Sequence, residues 1–296
     1  MSAIQRIATR ETELGAGLSI RRALPTRHRR LVGAWCFLDH IGPIDFAPDA
    51  GLHVGAHPHI GLQTFTWLIT GEILHRDSLG NEQLIRPGQV NLMTAGHGIA
   101  HTEDSPQPGQ RLHAAQLWIA LPPEQRDCPP DFAHYPDLPT WTTDGARFTL
   151  LAGHYRDKHA PTRIHTPLLG LDIAATDDVT LDLPLQAEFE YGLLSLLGHI
   201  TAAGETLGSD EFLYLEPGRD RLQLKLPAGS IVLLLGGEPF TAPLQMWWNF
   251  VAGDRKSIVE AQRQWENGDA RFGAVGDGKA PRLGAPTLPA VWIRAS

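Results

Sequence analysis

The residues of this 296-residue chain that could do chemistry together lie in two short runs, His57-Pro58-His59 and His101-Thr102-Glu103. Each holds an i, i+2 pair. Side chains two apart on a β-strand leave the same face, so each run aims two candidate ligands in one direction. Two such strands facing each other would enclose a metal ion with three imidazoles and one carboxylate. That donor set suits a first-row divalent ion such as iron and leaves one or two positions of an octahedral site open. Thiolate zinc sites are excluded, because the chain has only two cysteines, Cys36 and Cys128, with no CxxC spacing.

Parity carried forward from His57 and His59 places Gln63, Phe65, Trp67 and Ile69 inward, and Thr64, Thr66 and Thr70 outward. Gln63, Phe65 and Trp67 are therefore the candidate substrate-pocket residues, the two aromatics offering an apolar wall or serving as ordinary barrel core. His75 shares a strand face with Ile73 and Asp77, where a strand-end hydrogen bond is a simpler reading than a pocket role. His97, in Ala95-Gly96-His97-Gly98, reads as part of a tight glycine turn. Of the 14 histidines, only His154, His159, His165 and His199 follow residue 135, and they form no i, i+2 pair. The second half of the chain is expected to bind no metal.

The elements that must position these residues are short. Apolar runs alternate with Gly, Pro, Asn and Asp, the pattern of many strands in barrels or sandwiches. Strands are expected at 17–24, 32–41, 62–70, 71–77, 90–93 and 112–121. The rhythm repeats at 147–154, 168–175, 191–200, 211–216, 221–226 and 230–236, which gives two all-β units of similar size. The spacing predicts an amino-terminal domain over 1–125, a proline-rich extended connector over 126–145 and a second domain over 146–253. A carboxy-terminal helix and tail follow over 254–296. Asp254 is positioned to cap that helix, with Ile258, Val259, Ala261 and Trp265 near helical spacing and an end before Gly268. Trp292 and Ile293 suggest that part of the tail docks.

A formal charge of −8 gives no electrostatic footprint for nucleic acid, although Arg27, Arg29 and Arg30 form a local basic patch. The amino terminus lacks the apolar core of a signal peptide, and no apolar run approaches the roughly 18 residues of a membrane span. The sequence is read as cytoplasmic, with neither a membrane nor a direct nucleic-acid partner.

The run GAHPHIGLQTFTWLITGEILHRDSLGNEQLIRPGQVNLMTAGHGIAHTED (55–104) closely resembles the signature region of the pirin family, within the cupin superfamily. The resemblance extends through VGAWCFLDHIGP (32–43) and QLWIALP (116–122), and more loosely through residues 236–265. It implies a bicupin, two antiparallel jelly-roll β-barrels, with a metal-bearing first barrel, a degenerate second one and a short carboxy-terminal helix. It implies His57, His59, His101 and Glu103 as ligands of one divalent metal, usually Fe(II). The activity it implies is that of a quercetin 2,3-dioxygenase, which opens a flavonol ring with O2 and releases carbon monoxide. Glu103 would accept the flavonol proton. Some pirins are instead non-catalytic, iron-dependent redox-sensing proteins, for which the basic cluster at Arg27 to Arg30 would face a regulatory protein partner. Two positions depart from the family pattern. Gln63 stands where Glu is common, which implies altered pocket polarity at little cost in metal affinity, and Ile60 stands where Arg is common.

Overall fold

The structure, a computed structural model, describes residues 3–14, 18–209 and 211–293. It is built of short antiparallel strands with a twelve-residue helix, Arg255–Glu266, near the carboxyl end. The chain divides into two compact units that are not consecutive stretches of sequence. One takes Ile41–Pro136 and Thr241–Ser296 with Glu13–Ser19, and the other takes Asp137–Phe240 with Met1–Thr12 and Ile20–His40.

The first of these units faces two sheets across a core. A four-stranded sheet runs in the order His53–His59, Ile99–Asp104, Ile73–Asp77, Glu82–Ile85. The other places Asp131–Tyr135, Val90–Thr94, Leu62–Thr70 and Arg111–Ala120 side by side. Gly61 separates the ligand-bearing strand His53–His59 from Leu62–Thr70. Its φ of +66° needs glycine, and a Cβ there would lie 2.0 Å from the Val251 carbonyl oxygen.

Asp254 caps the helix by accepting from the Ser257 backbone N–H at 2.8 Å. Its buried face is Ile258, Ala261, Gln262 and Trp265. Gln262 takes the inward place expected of Val259, since the Trp247 indole donates to its Oε1 and its amide donates to the Pro286 carbonyl. The tail that follows does dock. Trp292 packs with Trp247 on the cluster around Phe250 and Trp265, and the Ala56 N–H donates to the Pro281 carbonyl at 2.7 Å. The Leu283 N–H returns a bond to the Ala56 carbonyl, so the tail runs beside the ligand strand one residue before His57.

In the second unit an eight-stranded sheet includes Ala146–Tyr155, Leu168–Ala175, Glu190–Leu197, Glu211–Leu215 and Ile231–Gly237. A four-stranded sheet, in the order Val179–Pro184, Arg221–Leu226, Ile200–Ala202, Glu205–Leu207, completes it. The interior is aliphatic and aromatic, including Phe148, Leu171, Ile173, Tyr191, Leu193, Leu213, Leu224 and Leu234. Residues 20–40 join this unit for a local reason. The Gly33 N–H donates to the buried Glu190 carboxylate at 2.6 Å, and the Trp35 indole donates toward the Leu169 and Gly236 carbonyls at 3.2 Å. Nor is 126–145 an unpaired connector. Asp131–Tyr135 pairs with Val90–Thr94, and Thr140–Thr143 pairs with Ala146–Tyr155, because proline is tolerated at the margins of edge strands.

Candidate metal centre

His57 and His59 leave the same face of His53–His59, as their spacing requires, and the antiparallel partner Ile99–Asp104 sets His101 opposite His57. The ring atoms of His57, His59 and His101 that could bind a metal all lie within 4.8 Å of one another, and all three side chains are buried. One of the rings is already oriented by a backbone hydrogen bond. The Gly55 carbonyl can only accept, so His57 donates through Nδ1 at 2.8 Å and keeps the Nε2 lone pair free. The Nε2 atoms of His59 and His101 stand 3.1 Å apart. That separation matches two nitrogens on a common ion at about 2.0–2.1 Å each. A cation between them would take the place of the direct contact between the two nitrogens, so the donor set fits a divalent metal.

The imidazoles are kept neutral, which a ligand requires. Burial, reinforced by the His75 ring, pushes His57 down to about 4 despite the opposing Gly55 bond. Burial and the neighbouring imidazoles hold His59 and His101 well below the usual histidine range.

Glu103 is buried but stands outside the three-histidine group. The strand pairing shifts register between His101 and Glu103, setting Val54 rather than Gly55 opposite Glu103, so the extra residue of the bulge lies on His53–His59 and not on the strand of Glu103. Its Oε1 lies 3.4 Å from the Thr66 hydroxyl, which is closer to Gln116 Oε1, at 2.8 Å. One hydroxyl proton serves one acceptor at a time, so Glu103 is loosely held. Burial raises its pKa, against the opposing influence of His75 and Thr66.

The parity expected beyond His59 is reversed. Thr66 reaches Glu103 and Gln116, and the register pairs Thr66 with Gln116 and Thr64 with Trp118. Trp118 in turn meets His59 edge to face at 5.2 Å. The even residues therefore face the histidines. Gln63, Phe65 and Trp67 leave the opposite face of their strand, fully or almost fully buried, and Gln63 donates to the Thr94 hydroxyl at 2.9 Å. The break at Gly61 is the cause, because it starts a new strand and resets the alternation. Residues on either face of Leu62–Thr70 are buried, so composition alone could not reveal the reversal.

Sequence reasoning missed Trp118, Phe132, Thr66 and Gln116 as surroundings of the site. Phe132 stacks on His75 at 4.5 Å and comes from the proline-rich segment, whose aromatic at a strand position was the available signal. The other expectations divide. The His97 backbone lies in a glycine turn, with Gly96 at φ +50° and the His97 N–H bound to the Cys128 carbonyl. His154, His159 and His199 are exposed, and no residue of the second unit joins a three-ligand group among the described residues. Arg27 and Arg30 are exposed, whereas the Arg29 guanidinium rests 3.5 Å from the centre of the Tyr214 ring. Among the described residues no helix is long and apolar enough to cross a membrane.

Two jelly-roll units, one enclosing converging imidazoles and the other filled with leucine, define the chain as a bicupin with one candidate metal centre among the described residues. Residues 17–119 match the family described as Pirin, and residues 170–273 match the Pirin C-terminal cupin domain. The chain belongs to the pirin family. It is 58% identical over 97% of its length, and 91% of the other chain, to a Pseudomonas aeruginosa protein named "Putative quercetin 2,3-dioxygenase". A Caulobacter vibrioides pirin-like protein is 36% identical over 88% of this chain and 91% of its own. The crystal structure of a quercetin 2,3-dioxygenase from Acinetobacter baumannii superposes with a TM-score of 0.95 at 52% identity, covering 97% of this chain and 96% of that one.

Proposed function

We propose that this protein is a metal-dependent dioxygenase that opens a quercetin-like flavonol with O2 and releases carbon monoxide. The observation that carries the reading is the convergence of three buried, neutral imidazoles on one point. The names and high identity of the Pseudomonas and Acinetobacter relatives support the substrate class.

His57, His59 and His101 would hold the ion, most simply Fe(II), with Glu103 as the fourth ligand or as a carboxylate that moves on and off it. When bound, a divalent metal acts as a Lewis acid that makes a coordinated flavonol hydroxyl easier to deprotonate. Glu103 would take that proton. It is loosely tethered to Thr66, and burial raises its proton affinity. Trp118 beside His59 and Phe132 over His75 present aromatic surfaces around the histidines, suited to a planar substrate. Thr66 and Gln116 supply the polar groups of that face.

The test is carbon monoxide release from quercetin under air by protein reconstituted anaerobically with Fe(II). Release by the wild type and none by His101→Ala supports the reading. Fully metallated wild type that releases none contradicts it and favours the family's alternative, a redox-sensing binding role with a protein partner. Glu103→Gln is expected to lower turnover by about 10²–10⁴-fold, the range of a lost general base, with a smaller loss of metal.

A further inference from the structure

Behind the metal-facing histidines lies a second line of polar groups whose hydrogen-bond directions are dictated from one end. It begins at Asp77, buried to 1% exposure at the end of the strand Ile73–Asp77. Asp77 Oδ1 accepts the backbone N–H groups of Leu79 at 2.9 Å and Asn81 at 3.1 Å, so the following turn fixes the carboxylate. Oδ2 faces His75 Nε2 at 3.1 Å and the Asn81 side-chain amide at 2.9 Å. With two backbone N–H groups on Oδ1 and the Asn81 amide on Oδ2, both oxygens of Asp77 are used as acceptors. His75 must then carry a proton on Nε2. Its ring is held by stacking on Phe132, at 16° between planes, and its other nitrogen, Nδ1, lies 3.3 Å from His101 Nδ1.

From this geometry we infer that Asp77 and His75 form a relay that sets the tautomer of His101, with Asp77 accepting from His75 Nε2–H and His75 Nδ1 accepting from His101 Nδ1–H. His101 is thereby left with a bare Nε2, the atom that stands 3.1 Å from His59 Nε2. The inference rests on the reading of the histidines as a metal site and deepens it. A ligating imidazole whose other nitrogen donates to a fixed acceptor is better oriented and more basic, and loss of such outer partners typically costs 10–100-fold in metal affinity. His75 and Asp77 are positioning residues. They act through His101 and touch no reactant. The strand explains the arrangement, since His75 and Asp77 are themselves an i, i+2 pair facing Glu103 and His101 across the antiparallel register.

The polarity of the relay makes it testable with isosteric changes. In Asp77→Asn the side-chain oxygen is retained by the Leu79 and Asn81 N–H groups, and the new amide nitrogen faces His75. The relay would then run backwards and put a proton on His101 Nε2. His75→Phe keeps the stack on Phe132 and removes the acceptor, whereas His75→Asn offers a carbonyl oxygen near the place of Nδ1. The experiment is titration of the full-length apoprotein with Ni(II) alone, together with long-range 1H–15N correlation of the imidazoles in Zn(II)-loaded wild type. The expected results are an Nε2–H tautomer for His75 and an Nδ1–H tautomer for His101. Ni(II) dissociation constants are expected to rise about 10–100-fold in Asp77→Asn and His75→Phe, with a partial return in His75→Asn. Equal affinity in wild type and folded variants overturns the relay while leaving the metal site standing. An Nδ1–H tautomer for His75 in the wild type also overturns it, even if both variants fail to fold. Wild type that binds neither ion overturns the metal-site reading and the relay together.

Discussion

The two units share a strand architecture and differ in what fills them. In one, His57, His59, His75, His101, Glu103, Asp77, Thr66 and Gln116 are buried together. In the other, the interior holds Leu171, Ile173, Leu193, Leu213, Leu224 and Leu234. An apolar interior is stable without further partners, because each fully buried leucine contributes about 1.5–3 kcal/mol of transfer free energy. A polar interior needs every donor and acceptor matched. The first unit goes toward that demand by chaining many of its groups through hydrogen bonds and by turning His57, His59 and His101 toward one point. The comparison teaches that one jelly roll can be either a load of packed hydrocarbon or a cage for a cation, and that a few inward positions decide which.

The contrast can be broken most forcefully in the leucine-filled unit. Leu193→Ala is expected to cost 2–5 kcal/mol of stability, the range for a large buried aliphatic truncated in a core, with metal content unchanged. Denaturant unfolding with metal analysis checks both halves. Loss of the metal in folded Leu193→Ala would show that the two fillings are not independent.

Acid sharpens the comparison by acting on the buried imidazoles of the polar unit. His57 protonates near pH 4 when folded but near 6.5 when unfolded. Between these values the unfolded chain binds more protons, so the stabilisation is present above about pH 6.5 and is lost as pH falls toward about 4. His59 and His101 shift in the same direction and add to the effect. The apoprotein is expected to lose on the order of 1–2 kcal/mol from His57 between pH 7 and pH 5, with further loss in the same direction from His59 and His101. Urea titrations of apoprotein at the two pH values measure it, and a flat profile contradicts the assignment of neutral buried rings.

The smallest effect belongs to a histidine of the second unit. His154 is exposed and stacks on His159, so His154→Ala is expected to leave stability within about 0.5 kcal/mol and metal content unchanged.

Much of this was legible in the sequence. The i, i+2 spacing of His57 and His59 and the strand pairing that brings in His101 required only the two-residue period of a β-strand. Runs such as Leu168–Ala175 and Arg221–Leu226 stood out between glycine and proline turns. The face of Leu62–Thr70 was misread because alternation survives only within a strand, and Gly61 ends one and lets the next begin. That Glu103 stands outside the three-histidine group depends on where its side chain settles, which has no signature in residue types. The assignment of Ile20–His40 to the second unit depends on long-range bonds such as Gly33 to Glu190, which one local pattern cannot announce. His75 shared its face with Asp77 in the sequence. Only the structure shows that the pair reaches His101.

The most direct test of the central claim is to count metal. Wild type, His101→Ala and Leu193→Ala, each reconstituted anaerobically with Fe(II) and desalted, would be measured by mass spectrometric metal analysis against protein concentration. The account expects about one ion per chain in the wild type and in Leu193→Ala, and none in His101→Ala, as a single divalent site of these ligands requires. Full occupancy in His101→Ala, or a second stoichiometric ion in the wild type, would contradict it.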